Sequence, residues 1–328
     1  KNPGELVMRH SVSVARGLSV TVLEGHNLLD QPSNEADAYT LLVNSVSPEW
    51  ECTTNNSGIN KALALACQEE AQDALNEALQ NAVSQFIEQN DGIAPTYGDV
   101  VATPTFGSLR TKGFHTILHV LGADCSDRGN RYPVPVFEPA GASTLATVFA
   151  ACYRALSLAH IVVRARGAES SQGRAGVGFV QISAGVFAGD QPSCARMFAL
   201  AARAWAESVG ETEASTLGQL TICCSPTERD ALIEGLVGAA TLVGSDEVAT
   251  RVSEVLLGPN GCWLDVIPAV HTKPQRAADE GPPDDSMVPF KYGRLAASFE
   301  LGALQERSFL HFAPCAPSHE QHLASYVE

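Results

Sequence analysis

Chemistry in this chain starts from Gln181-Ile182-Ser183-Ala184-Gly185-Val186-Phe187-Ala188-Gly189-Asp190. An apolar run, residues 175–180, precedes it, and an apolar-periodic stretch with a Pro in its first turn, residues 193–209, follows. The spacing predicts strand, Gly-rich turn, helix. Such a turn can aim several backbone N–H groups at one point in front of a helix N-terminus, which is a place for a phosphate. Phe187 is then placed to cover a sugar or base beside it. The same pattern also suits a tight strand–helix connection whose glycines supply positive φ.

Composition narrows the ligand. The 328 residues carry 21 Lys and Arg against 37 Asp and Glu, a formal charge of −16. A nucleic-acid backbone needs a basic face, so no nucleic-acid partner is expected, and an anionic membrane surface is disfavoured too. Against that global field, a phosphate has to be captured by local dipoles rather than long-range steering. The nine cysteines are scattered, odd in number and without a C-x-x-C pair, so neither a disulfide framework nor a zinc site is expected. A reducing compartment inside the cell, cytoplasm or nucleus, is the expected location. The nine histidines show no ligand spacing, and no metal or cofactor is expected. No unbroken apolar run reaches the roughly 18 residues of a membrane span. The chain begins at Lys1 rather than Met and reads as a piece of a longer protein, with any targeting signal upstream of it.

The elements that must position the turn follow in order. Residues 11–23 alternate with period two, a strand or a hairpin around Gly17. Residues 39–44 read as a strand. From Gly58 a long helix is expected, with Ile59, Leu63, Ala66, Leu75, Leu79, Ala82 and Phe86 on one stripe and Asn55, Asn56 and Ser57 as capping candidates. Strands are expected at 100–103 and 114–121, a helix at 142–159, a strand at 175–182, a helix at 194–208 and a strand at 217–224. Ser225-Pro226-Thr227-Glu228 reads as N-cap, Pro at N1 and early acid for a helix to about residue 240. The alternation implies α/β, with a mostly parallel sheet covered on both faces. Beyond residue 240 the pattern changes: one more helix at 247–257, a short strand at 263–267, a linker at 272–286 and two short strands within 296–312. Residues 1–240 are therefore expected to form one domain and 241–328 an extension packing on or near it.

In a parallel α/β sheet, ligands sit at the carboxyl ends of the strands. Three polar, Gly-bearing stretches are expected there: 44–58, 103–109 and 183–190. Five runs, in order, carry a resemblance. They are Val43-Asn44-Ser45-Val46-Ser47, Gly58-Ile59-Asn60-Lys61-Ala62-Leu63, Gly98-Asp99-Val100-Val101-Ala102-Thr103-Pro104, the strand Phe114 to Gly122 with His119, and Phe179-Val180-Gln181-Ile182-Ser183-Ala184-Gly185-Val186-Phe187. Over residues 18 to about 240 the chain resembles the macrodomains, the α/β/α modules that bind ADP-ribose.

The resemblance implies a three-layer α/β/α mixed sheet and ADP-ribose, free or on a modified protein, as partner. It also implies roles: Ser57, Gly58 and Ile59 as a first diphosphate loop, and Ser183, Ala184, Gly185, Val186 and Phe187 as a second, with Phe187 against the distal ribose. Asn44 would lie at the floor near the ribose. His26 and Asn27 stand where the family has the Asp that receives the adenine amino group. His119 reads as a core histidine rather than a catalyst. Asn44 also suits an Asx-turn ending its strand, and Asn55 to Ser57 a plain helix cap.

The departures bear on mechanism. The family's distal Asn is Ser47 here, and the catalytic Asp of its hydrolytic members is Asn60, an amide that can orient water but not act as a base. Help for a leaving group would then come from carboxylates near the loops. Glu49, Glu51 and Asp190 lead, with Asp124 and Asp127 behind them. Two functions lead, an ADP-ribosyl hydrolase acting through Asn60, Glu51 and Asp190 or a reader that binds ADP-ribose without turnover, with a third behind them, a relic of the fold whose pocket is empty and whose surface binds a protein partner.

Overall fold

The computed structural model describes residues 9–24, 28–30, 39–56, 58–89, 92, 94–95, 97–123, 142–167, 175–185, 187–217, 219–243, 246–248 and 250–251. Expectations for residues beyond 251 lie outside them. The hairpin around Gly17 forms as β1 (Arg9–Ala15) and β2 (Leu18–Glu24), paired antiparallel. Gly17 takes φ +79, and a Cβ there would meet the Glu211 carbonyl oxygen at 2.5 Å, so the turn requires glycine. Then come β3 (Tyr39–Ser45), α1 (Gly58–Gln89), β4 (Val100–Pro104), a one-turn α2 (Ser108–Thr111), β5 (Phe114–Val120), α3 (Ala142–Gly167), β6 (Ala175–Phe179), α4 (Gln191–Val209), a short α5 (Glu211–Ala214), β7 (Gln219–Cys224) and α6 (Pro226–Ala240).

The seven strands form one sheet in the order β1-β2-β7-β6-β3-β5-β4. The five central strands, β2 to β5 in that order, pair parallel, and the two outer strands, β1 and β4, pair antiparallel. The sheet is mixed, as the resemblance implies, with a parallel centre. Leu41, Leu42 and Val43 in β3 are all fully buried, as expected of a strand covered on both faces. Helices α3, α4 and α6 pack against one another on one face, while α1 lies against β3 and β4 on the other.

Chain direction explains this. From β3 the chain moves through α1 toward the β5–β4 side, and from β6 it moves through α4 toward β7. Right-handed crossovers running in opposite directions put their helices on opposite faces. The point where direction reverses lies between β3 and β6.

Two helix starts follow their sequence signals. Asp190 caps α4, its carboxylate accepting from the Ser193 N–H at 3.0 Å and the Ser193 hydroxyl at 2.6 Å, with Pro192 in the first turn. The Glu228 carboxylate reaches back to accept from the Ser225 N–H at 2.7 Å at the start of α6. One stretch of α3, Thr147–Arg164, is apolar enough by length and composition to cross a membrane. It is 78% buried, packed on α4 and the sheet, and serves as core.

Candidate functional site

The crevice outside the carboxyl ends of β3 and β6 is a cleft of about 550 Å³. It is lined by Ser45, Val46, Ser47, Glu49, Glu51, Asn55, Asn56, Gly58, Ile59, Asn60, Val180, Gln181, Ser183, Gly185 and Phe187. Each wall follows one strand. The segment after β3 bends through Ser47, Glu49 and Glu51 and enters α1 at Gly58. The segment after β6 turns through Ser183 and Gly185 to Phe187 and enters α4.

The first wall is fixed from behind by α1. Asn76 grips both main-chain groups of Cys52: its Oδ1 accepts from the Cys52 N–H at 2.9 Å, and its Nδ2 donates to the Cys52 carbonyl at 3.2 Å. One turn further along, Gln80 Nε2 donates to the Trp50 carbonyl at 3.0 Å. Trp50 takes φ +53, and its side chain is buried. The exposed Glu49 and Glu51 flank it and both line the cleft. Asn56 closes a turn onto Thr53, its Oδ1 accepting from the Thr53 N–H at 2.6 Å, so this amide holds the loop and does not cap α1. Gly58 begins α1 with φ +58 and open space where a Cβ would stand.

The second wall is a tight turn. The Gly189 N–H donates to the Ser183 carbonyl at 2.9 Å and the Ala188 N–H to the Gly185 carbonyl at 3.0 Å. Ser183 and Ala188 take positive φ, 67° and 52°. Gly122, just past β5, lets the turn sit down: a Cβ there would meet Ser183 Oγ at 2.7 Å. Ser183 is 1% exposed, and its Oγ is buried without a partner, as are Ser47 Oγ and both polar atoms of the Gln181 amide. All three residues line the cleft. Among the described residues its charged side chains are the two glutamates, with no Lys or Arg in the lining.

Beneath the first wall runs a buried polar chain across four elements. Asn44 Nδ2 donates to Asn60 Oδ1 at 2.8 Å and lies 3.1 Å from His119 Nδ1, while His119 Nε2 lies 2.9 Å from Thr103 Oγ1. An amide NH₂ only donates, so His119 Nδ1 accepts, and Nε2 carries the proton and donates to Thr103. Burial pushes the His119 pKa down to about 3, which keeps the ring neutral. The Cys52 thiol, 3.5 Å from Asn60 Oδ1, is pushed up to about 12, first by burial and then by the neighbouring Cys67. Asn60 therefore has its oxygen committed inward, which leaves its NH₂ as the group it can offer the cleft.

Of the residues singled out from sequence, Glu51, Gly58, Ile59, Asn60, Ser183, Gly185 and Phe187 meet around this cleft. Asn44 is a correction: it is fully buried, its NH₂ is spent on Asn60 and His119, and it stands behind the cleft rather than on its floor. Asp190 is another: its carboxylate caps α4, lies outside the lining, and is held below the usual carboxylate range by the hydrogen bonds from Ser193. Ala184 packs against the core and is not part of the lining. His26, Asn27, Ser57, Val186, Asp124 and Asp127 lie outside the described residues.

The stretch 103–109 is also displaced. Because β4 is antiparallel to β5, its carboxyl end lies at the opposite end of the strands from the cleft, and Tyr97-Gly98-Asp99, ahead of β4, takes the place beside the carboxyl end of β5. Tyr97 meets Phe187 edge-on with ring centroids 6.4 Å apart. Arg154 from α3 pins this turn, donating to the Gly98 carbonyl at 2.8 Å and to Asp99 at 3.2 Å. Sequence reading missed Asn76, Gln80, Tyr97 and Arg154. The Asn and Gln one turn apart on the long helix were a detectable signal, since polar residues at i and i+4 share one face.

No family model and no curated protein sequence matches the chain. Solved structures similar to it include macrodomains. A macrodomain of Oceanobacillus iheyensis with ADP is 16% identical at TM-score 0.46, over 71% of this chain and 96% of that one. A Trypanosoma brucei macrodomain in complex with ADP is 16% identical at TM-score 0.42, over 67% of this chain and 69% of that one. The macro domain of ganglioside induced differentiation associated protein 2 is 15% identical at TM-score 0.43, over 67% of this chain and 83% of that one.

Proposed function

We propose that the cleft binds ADP-ribose, free or attached to a protein, and that the chain is a divergent member of the macrodomain family. The observation that carries this reading is the meeting of two distant main-chain bends, at Gly58 and at residues 183–185, on either side of the crevice where β3 and β6 part company. The bend at Gly58 opens directly into α1, whose first-turn N–H groups and positive dipole end suit a diphosphate. The unpartnered Ser183, Ser47 and Gln181 groups supply hydrogen-bonding capacity the protein itself leaves unused. Phe187, braced by Tyr97, offers a ring wall for a ribose. The cleft volume falls in the range of small-ligand sites.

Calorimetry of the full chain with ADP-ribose, ADP and AMP tests this. ADP-ribose should bind tightest, because the distal ribose adds contact with Phe187, and F187A should erase its margin over ADP. Absence of binding by ADP-ribose overturns the reading.

Turnover is a second reading, favoured by Glu49 and Glu51 lining the same cleft. Glu51 would activate the water at the anomeric carbon, and Asn60 would orient it through its NH₂. Release of free ADP-ribose from an automodified protein, abolished in E51Q, supports the hydrolase. Binding without release leaves a reader.

A further inference from the structure

Resting on the reading of the cleft as an ADP-ribose site, we propose that Asn60 is a specificity-determining donor: its NH₂ donates to a ligand oxygen, and Asn44, His119 and Thr103 are positioning residues that keep that NH₂ turned outward. Asn60 lines the cleft but is only 6% exposed. Its Oδ1 is engaged from inside by Asn44 Nδ2 at 2.8 Å and by the Cys52 thiol at 3.5 Å, which burial keeps protonated. Its Nδ2 has no partner among the described residues, and unlike Asn44 Oδ1 it is not sealed from solvent. A shielded, unspent N–H pair that opens only on a cleft calls for an acceptor in the ligand. Which end of Asn60 faces out is set further back. A chain of two amides, a ring and a hydroxyl has two self-consistent directions, because each amide can turn over and the ring can carry its proton on either nitrogen. With the proton on Nε2, His119 donates to Thr103 and accepts from Asn44, and Asn60 meets the cleft as a donor. With the proton on Nδ1, Asn44 would accept from both His119 and Asn60, and the Asn60 oxygen would face the cleft instead. Thr103 and His119 are fully buried and outside the lining, so they reach the ligand only through this chain. A phosphate or hydroxyl oxygen suits the donor, whereas a group that only donates, such as an ammonium, does not.

The test uses the full chain at neutral pH. Ring-nitrogen chemical shifts of His119, measured by NMR, should place the proton on Nε2; a proton on Nδ1 overturns the proposal before any ligand is added. On titration with ADP-ribose, the side-chain NH₂ signals of Asn60, assigned by their absence in N60D, should shift. N60D keeps the size and the inward oxygen but replaces the donor with a charged acceptor, and should weaken ADP-ribose about tenfold or more. T103V removes the acceptor of the Nε2–H and favours the reversed chain. It should therefore move the ring proton and weaken ADP-ribose about three- to tenfold, and T103S, which keeps the hydroxyl, should restore both. Parent-like affinity in N60D removes Asn60 as the donor, and a parent-like ring and affinity in T103V remove the positioning chain, while ADP-ribose binding by the parent stands in both cases. Should N60D fail to fold, the ring proton and the T103V and T103S pair decide. If the parent does not bind ADP-ribose, the assignment and the nucleotide site fall together.

Discussion

Asn44 at the end of β3 donates to Asn60 in the first turn of α1 at 2.8 Å, so the helix that carries one wall of the cleft is tied to the central strand by a buried amide pair. Asn44 also reaches His119 on β5, and His119 reaches Thr103 on β4. Replacing Asn44 with Ala leaves His119 Nδ1 without a donor and Asn60 Oδ1 with only the weak Cys52 thiol. Buried groups deprived of a partner cost about 1–3 kcal/mol each, so N44A should lose roughly 2–3 kcal/mol in urea denaturation. An N44A protein as stable as the parent would show the chain of amides to be incidental.

The same network predicts a pH dependence. The folded pKa of His119, about 3, lies below the ordinary imidazole value of 6.5. Between these values the unfolded chain binds the proton and the folded one does not, so stability rises with pH across the window and is lost as pH falls from about 6.5 toward 3. From pH 7 to pH 5 the loss assignable to this ring is about 2 kcal/mol. H119Q, which cannot titrate, should show a shallower slope over that interval, whatever its absolute stability. Parallel slopes for H119Q and the parent would remove His119 as the source.

The Asn76 grip on Cys52 should be visible by thiol chemistry. Cys52 is fully buried with a raised pKa, so it is inert at neutral pH while the loop is closed. N76A removes two hydrogen bonds from that loop, and opening it by about 1.4 kcal/mol raises the exposed fraction about tenfold. Alkylation of the Cys52 peptide, followed by mass spectrometry, should accelerate accordingly in N76A. An unchanged rate would mean that Asn76 does not hold the segment bearing Glu49 and Glu51.

Most of the architecture was readable because its signals are local. Period two in residues 11–23 and around β7, the long stripe of α1, and the Pro and acid at the start of α6 each reflect neighbours in sequence. The errors came where strand direction or long-range packing decides. Nothing within residues 100–104 reveals that β4 runs antiparallel to β5, yet that direction moves residues 103–109 away from the cleft and brings Tyr97 to Phe187. Asn44 looked like a strand-end ligand group, but its role depends on Asn60 and His119, sixteen and seventy-five residues away. Asp190 was misassigned because one residue type serves both as helix cap and as acid, and only its hydrogen bonds to Ser193 separate the two.

The glycines around the second wall separate stability from binding. At Gly122 a Cβ would meet Ser183 Oγ at 2.7 Å and Ile182 Cγ2 at 2.9 Å, and at Gly189 one would meet the Ser183 carbonyl oxygen and Cys194 Sγ, each at 2.7 Å. G122A and G189A should therefore destabilise by about 1–3 kcal/mol through overpacking beneath the turn. At Gly185 a Cβ meets nothing within 4 Å, and the residue lines the cleft. G185A should thus keep the parent's denaturation midpoint while its methyl group intrudes on the space a diphosphate would use, weakening ADP-ribose severalfold. Denaturation and calorimetry on the three variants decide the matter. If G185A unfolds as readily as G122A, or binds like the parent, the turn does not face the ligand with its main chain.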